Sequence, residues 1–259
     1  MIDILCVGCH PDDIEMSMAG SILLFKEKGY RVGILDLTNG EPTPFGAPEK
    51  RMEERDRASR ILNVDARITL DLPNRYLTEN LDAREKIAEV YRELRPSIIF
   101  THYDEDIHPD HTAGSRLSVE ARFHAKLTKT SMKGAPHFAD LLFYHGANHK
   151  RIIQQPAFIL DVTTFFEKKL EACRCYESQF YTPERKEYMK DILTGRGLYY
   201  GSLIRAKYGE PFFSTEAVGL NDIAHLAGFH PGHLQNSKSL PTRKGMADIE
   251  KWVKEGEAF

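Results

Sequence analysis

Two rhythms of apolar and polar residues alternate along the first two thirds of the chain. One is a short, nearly continuous apolar run. The other is a longer segment with apolar residues three or four apart. The apolar run of residues 4–9 predicts a buried strand over 2–8, and His10-Pro11-Asp12-Asp13 ends it. Over residues 14–28, Met18, Ile22 and Phe25 share one helical face and Gly29 supplies a stop. Residues 31–37 predict a second strand, and a Gly/Pro-rich loop covers 38–48. Pro48 suits the first turn of a charged helix reaching residue 62. Further strands are predicted at 67–70, 97–101 and 141–144, and further helices at 79–94 and 111–126. Strands alternating with helices imply parallel βαβ units and a doubly wound, mostly parallel α/β sheet with helices on both faces.

The remainder is less regular. A strand is predicted at 157–162, a helix at 163–177 with Phe166, Leu170 and Cys173 on one face, and another at 191–207. From residue 208 onward no period is visible. With no internal repeat and no low-complexity linker, the expectation is one domain, its core at 1–180 and a helical or irregular extension over 181–259.

Composition narrows the function classes. The 259 residues suffice for one buried core, and 41% hydrophobic with 28% charged residues is ordinary for a globular protein. A net charge of −3 gives no reason to expect nucleic acid or an anionic membrane as partner. No apolar run approaches the ~20 residues of a membrane span, and the N-terminal segment lacks the layout of a signal peptide. Four cysteines in a chain this long do not form a disulfide scaffold. Cys173 and Cys175 point apart on a helix, so reduced, packed thiols and a cytoplasmic location are expected.

The candidate chemistry sits at two strand ends. The first is His10-Pro11-Asp12-Asp13. The second, Thr101-His102-Tyr103-Asp104-Glu105-Asp106-Ile107-His108-Pro109-Asp110-His111, follows the apolar Ile98-Ile99-Phe100. Ligands of open α/β sheets bind at such carboxyl edges. A catalytic zinc site takes three protein ligands and leaves a position for water. His10 and Asp13 are three apart at a strand-to-helix turn, and His111 opens a helix, so these are the expected ligands. Asp12 points elsewhere and can take a proton from water. His108, if protonated, can stabilise an oxyanion or donate to a leaving amine, and Asp110 can fix an imidazole tautomer. The acidic run 104–106 reads as a solvated loop face, His102 as a structural hydrogen-bonder, and His145 and His149 as surface residues. His225, His230 and His233 lie in the unpatterned tail and are not read as ligands.

The two clusters resemble the paired signatures of the LmbE-like (PIG-L) zinc deacetylases, which remove acetyl groups from N-acetylglucosamine-type substrates on a Rossmann-like fold. Thr38-Asn39-Gly40-Glu41, Leu70-Asp71-Leu72-Pro73-Asn74, Tyr176-x-Ser178-Gln179-Phe180 and Gly201-Ser202-Leu203-Ile204 are similar to the bacillithiol-biosynthesis branch. The resemblance implies zinc, or iron or another divalent ion, on His10, Asp13 and His111, with Asp12 as general base. It implies His108 as oxyanion-stabilising acid with Asp110 as its partner, and Arg51 as a substrate-binding cation. Glu41 and Gln179 are further candidates for sugar contact. The implied substrate is a small N-acetylated amino sugar, with N-acetylglucosaminyl-malate and a broader N-acetyl-amino-sugar range both open. Trimers or hexamers are implied as homo-oligomers. Phe138 stands where that branch often carries an arginine, and is expected, if it faces the pocket, to offer an apolar wall. Two rival readings are a non-haem iron oxygenase, since two histidines and a carboxylate also form a facial triad, and a non-catalytic sugar-binding protein. The βα context speaks against the first, and a positioned Asp12 against the second.

Overall fold

A computed structural model describes residues 1–146, 149–150, 155–180, 186–220 and 226, except the side chains of 186 and 187. The chain separates into a compact unit, Met1–Val218, and a second stretch, Gly219–Phe259. Of the second stretch only Gly219, Leu220 and Leu226 are described; His225, His230 and His233 lie outside the described residues.

The compact unit runs β1 (Ile4–Gly8), α1 (Asp13–Glu27), β2 (Val32–Asp36), α2 (Pro48–Leu62), β3 (Ala66–Thr69), α3 (Leu81–Leu94), β4 (Ile98–His102), α4 (Pro109–His124) and β5 (Leu141–His145). It continues through β6 (Phe158–Asp161), a 3-10 turn at Thr163–Phe165, α5 (Phe166–Arg174), α6 (Glu177–Phe180), α7 (Lys186–Leu203) and β7 (Gly209–Phe213). The predicted helix over 163–177 is thus split between the turn, α5 and the start of α6.

The strands form one seven-stranded sheet in the order β3-β2-β1-β4-β5-β7-β6. Pairings from β3 through β5 are parallel. Strand β7 runs antiparallel to both β5 and β6. It occupies a stretch where no strand was predicted.

Alternation along the strands sorts the core. Leu5 and Val7 face one side, where they pack with Leu35, Ile87, Tyr91, Ile99 and Leu117 beneath α3 and α4. Ile4 and Cys6 face the other, with Ile14, Met18, Ile22, Ile34 and Leu62 beneath α1 and α2. Every residue of β1 and β2 is buried, as expected for parallel strands covered on both faces. Strand β1 pairs with β4 on one side and with β2 on the other. The chain order reverses between them, which opens a crevice at their carboxyl ends. Both polar clusters emerge there.

Candidate active site

The loop from β1 into α1 carries His10, Asp12 and Asp13, and the loop from β4 into α4 carries His108, Asp110 and His111. Pro109 occupies the first turn of α4, where its missing N–H costs nothing. Gly114, one turn further, lets α4 approach the first loop: a Cβ there would meet Cys9 Sγ at 2.3 Å.

The structure brings His10, Asp13 and His111 together, with one donor atom from each lying within 4.8 Å of the others. Hydrogen bonds select which atoms face inward. Asp13 Oδ2 accepts from the backbone N–H of Cys9 at 3.0 Å and of His10 at 2.8 Å. It also lies 3.0 Å from His102 Nε2. His10 places Nε2 3.2 Å from Asp110 Oδ2, so Nδ1 is the nitrogen turned to Asp13, at 3.4 Å. His111 gives Nδ1 to Asp106 Oδ2 at 2.5 Å. Its Nε2 is buried, without a hydrogen-bond partner, 3.3 Å from Asp13 Oδ1. Each of the two imidazoles thus has one nitrogen on a carboxylate and the other turned to Asp13, the usual support for a metal-ligating histidine.

The electrostatics agree with a site that takes a cation. Burial alone would depress both imidazoliums. The charge of Asp13 and hydrogen bonds donated to Asp110 and Asp13 instead lift His10 to about 10. The charge of Asp13 and the hydrogen bond to Asp106 lift His111 to about 9. Burial opposes ionisation of Asp13, but His111, His102 and His10 hold its carboxyl well below the usual range. A divalent ion would supply the positive charge that these carboxylates demand, and the orphaned His111 Nε2 fits a ligand role. The neighbouring set Cys9, Asp13 and His102 fits less well. The Cys9 thiol donates to the Asp110 carbonyl at 3.1 Å, and burial with the Asp13 charge pushes it well above its ordinary value.

Asp12 sits beside this cluster with a different orientation. Its φ of 126° is left-handed, a conformation that costs a non-glycine residue of order 1–3 kcal/mol. Its Oδ2 accepts from Arg51 Nη2 at 2.9 Å, and both side chains line the cleft. Burial pushes the Asp12 carboxyl up to about 7, against the pull of Arg51. Gly40, at φ 75°, leaves room for the arginine: a Cβ there would stand 3.1 Å from Arg51 Nη2. Arg51 also lies 5.6 Å over the Tyr176 ring. It is 2% exposed and gives Nη2 to Asp12, while its Nε and Nη1, also buried, have no hydrogen-bond partner among the described residues.

His108 lines the same cleft, of about 430 Å³. Its Nδ1 accepts from the backbone N–H of Asp110 at 3.2 Å, so a neutral ring carries its proton on Nε2. Burial, with His111 and His10 nearby, lowers it to about 4. The expected pairing of Asp110 with His108 is therefore met differently. The Asp110 carboxylate serves His10 and accepts from Arg75 N at 2.6 Å and Leu77 N at 3.2 Å.

Gln179 reaches the cleft, and its Nε2 donates to Thr43 Oγ1 at 3.0 Å. Glu41 does not line it: the carboxylate accepts from Thr43 N at 2.6 Å and from Thr43 Oγ1, pinning its own loop. Phe138 is 42% exposed, beneath the Arg122 guanidinium at 4.5 Å, and forms no wall of the cleft. His145 is not on the surface. It is fully buried, with Nε2 3.2 Å from the Val7 carbonyl and its ring against His102. His149 is half-exposed but lines the cleft.

The functional residue that pattern reading missed is Asp106. It was grouped with a solvated run, yet its side chain is fully buried against His111. Its neighbours Asp104 and Glu105 are exposed, as that reading expected. The available signal was its place five residues before a candidate ligand.

Comparison with known proteins identifies relatives over most of the chain. Residues 5–122 match the family model described as PIG-L, GlcNAc-PI de-N-acetylase. The chain is 30% identical to a diacetylchitobiose deacetylase of Thermococcus kodakarensis over 80% of each chain. It is 29% identical to a probable N-acetyl-alpha-D-glucosaminyl L-malate deacetylase 2 of Bacillus anthracis, over 69% of this chain and 82% of that one. It is also 26% identical to a 4-oxalmesaconate hydratase of Pseudomonas putida, over 68% and 73%. Among solved structures, the conserved protein TT1542 from Thermus thermophilus superposes with a TM-score of 0.79 at 36% identity, covering 85% of this chain and 97% of that one.

Proposed function

The chain belongs to the PIG-L, LmbE-like deacetylase family, and from that premise we propose that it is a metal-dependent N-deacetylase acting on an N-acetylglucosamine-type compound. The observation that carries this reading is the division of labour between adjacent carboxylates. Asp13 faces two imidazole nitrogens, while Asp12, turned by its left-handed backbone, faces the cleft and Arg51.

In this reading His10 Nδ1, Asp13 and His111 Nε2 hold a divalent ion, zinc by preference for a mixed histidine and carboxylate set. Such an ion lowers the pKa of a bound water to about 7 and polarises an acyl oxygen. Asp12 accepts the proton of the attacking water, and Arg51 keeps its carboxylate in position. His108 offers its Nε2–H to the oxygen on which charge develops. Because its Nδ1 accepts from Asp110 N, it does so as a neutral donor. Asp12 then returns the proton to the departing nitrogen, and the products are acetate and a free amino sugar. Gln179 and Arg51 border the space for the sugar.

Two relatives named for glucosamine derivatives support the substrate class. The test is a panel of N-acetylated glycosides with N,N'-diacetylchitobiose, assayed for acetate and new primary amine. Loss of release on chelation and its return with zinc are expected. A relative named as a hydratase supplies the contrasting outcome. Hydration of 4-oxalmesaconate without acetate release from any glycoside would refute the deacetylase reading.

A further inference from the structure

Helix α7 (Lys186–Leu203) forms a wall of the active-site cleft that no catalytic role absorbs. Tyr188, Ile192 and Arg196 all line the cleft and are spaced i, i+4, i+8, so one face of the helix carries them. Tyr188 is 57% exposed and Ile192 37%, large apolar surfaces left open at the mouth of a polar site.

Arg196 ends this stripe. Its Nη2 lies where β5 ends, since a Cβ on Gly146 would meet it at 2.9 Å. Among the described residues its guanidinium has no hydrogen bond or ion pair. The two carboxylates in its field are already engaged. Glu210 accepts from Gly20 N, Ser21 N, Ser21 Oγ and Lys169 Nζ. Asp106 accepts from His111, Ile107 N and Lys150 N. Burial lowers the Arg196 pKa, and Tyr200, Glu210 and Asp106 only partly offset it. The exposed Arg75 also lines the cleft, and its guanidinium likewise has no carboxylate partner among the described residues. The inner end of the cleft balances Asp12 and Asp13 with Arg51 and imidazoles. The guanidiniums of Arg196 and Arg75 pair directly with no carboxylate among the described residues, and the Glu210 and Asp106 charges only partly offset the burial of Arg196.

We propose that this face of α7 is the aglycone subsite, and that Arg196 is a specificity-determining residue that binds a carboxylate on the aglycone. Tyr188 and Ile192 cover the apolar part of that group. A planar fork of N–H donors suits a carboxylate better than it suits a second neutral sugar. The inference rests on the deacetylase reading and names which end of the substrate α7 reads.

The experiment compares kcat/KM for N-acetylglucosaminyl-malate and for N,N'-diacetylchitobiose in the wild-type protein, Arg196→Leu and Arg196→Lys, with thermal unfolding of each. The wild-type protein should prefer the acidic glycoside. Arg196→Leu should lose about 10- to 100-fold on it, the size of one charged hydrogen-bonding contact, with a change under about threefold on the disaccharide. Arg196→Lys should recover part of the loss. An equal fall on both substrates, or a wild-type preference for the disaccharide, overturns the assignment. Should neither substrate release acetate, the deacetylase reading falls and this one with it.

Discussion

Replacing Asp106 tests whether the buried carboxylate behind His111 supports a metal ligand. The His111 Nδ1 to Asp106 Oδ2 contact is 2.5 Å, and both side chains are fully buried. Burial opposes the Asp106 charge, but the His111 hydrogen bond and charge hold its carboxyl at about 2. A hydrogen bond to a charged group contributes about 1.5–3 kcal/mol, and a neutral one about half as much. Asp106→Asn keeps an acceptor for Nδ1–H but removes the charge, so the ion should bind about tenfold more weakly. Asp106→Ala removes the whole contact and should weaken binding by up to about 100-fold. Asp106 Oδ1 also accepts from Ile107 N and Lys150 N; asparagine has one carbonyl oxygen, so with it turned to His111 its amide NH2 faces these two N–H groups and that anchor is lost. Thermal unfolding of each variant accompanies the metal competition, to separate loss of the loop anchor from loss of the charge on His111. The assay is competition for Zn²⁺ against a chromophoric chelator at fixed pH, with Asp104→Ala, an exposed residue of the same loop, as control. Wild-type affinity in both Asp106 variants, or an equal loss in Asp104→Ala, would refute the reasoning.

The catalytic base and the fold yield further expectations. Asp12→Asn should keep the fold and the ion while turnover falls about 10²–10⁴-fold, as measured by acetate release; near-normal turnover would mean that another group activates the water. The base works deprotonated, so kcat/KM should rise with pH. Its ascending limb should lie at or below the value of about 7 to which burial raises Asp12, since a bound cation pulls it down. Arg51 lowers the Asp12 pKa, so in Arg51→Ala the limb should move to higher pH, with acidic and neutral substrates falling together. A pH profile that does not move would show that Arg51 leaves the base alone. Arg67 donates to Asp36 at 2.8 and 2.9 Å and to Glu15 at 2.6 Å, its side chain nearly and both carboxylates fully buried. Arg67→Met strands two carboxylates and should lower stability by about 3–5 kcal/mol in urea unfolding. A loss under about 1 kcal/mol would mean that the network relaxes without its cation.

The parallel half of the sheet was legible because strands buried on both faces need continuous apolar runs, and Ile4–Gly8 and Val32–Asp36 supply them with helical periods between. Strand β7 was not legible. Gly209, Glu210 and Pro211 are all poor strand formers, and Pro211 sits opposite Ile159 in a strand paired on both sides. What fixes β7 lies far away in sequence. The Glu210 carboxylate accepts from Gly20 N and Ser21 N, just after the non-helical Met18 at φ −144° interrupts α1. It also pairs with Lys169 from α5. A local pattern contains none of these partners.

The site divides along the same line. His10, Asp13 and His111 were readable because local geometry alone turns them inward: two are three residues apart at the end of one strand, and the third opens the helix after the neighbouring strand. Roles that depend on a partner from another element were not. Arg51 reads as a cation beside the cleft, but its bond to Asp12 joins residues 39 apart. Asp110 reads as the companion of His108, two residues away, yet its carboxylate reaches His10, 100 residues away, and leaves only its backbone N–H to His108. The consequence is chemical. With Nδ1 accepting that N–H, a neutral His108 carries its proton on Nε2; in the proposed reaction it donates that hydrogen bond, and the proton for the departing amine comes from the group that took it from water. In the proposed reaction Asp12 serves both steps: burial raises its carboxyl above the ordinary carboxylate range, which suits a group that accepts a proton and releases it again.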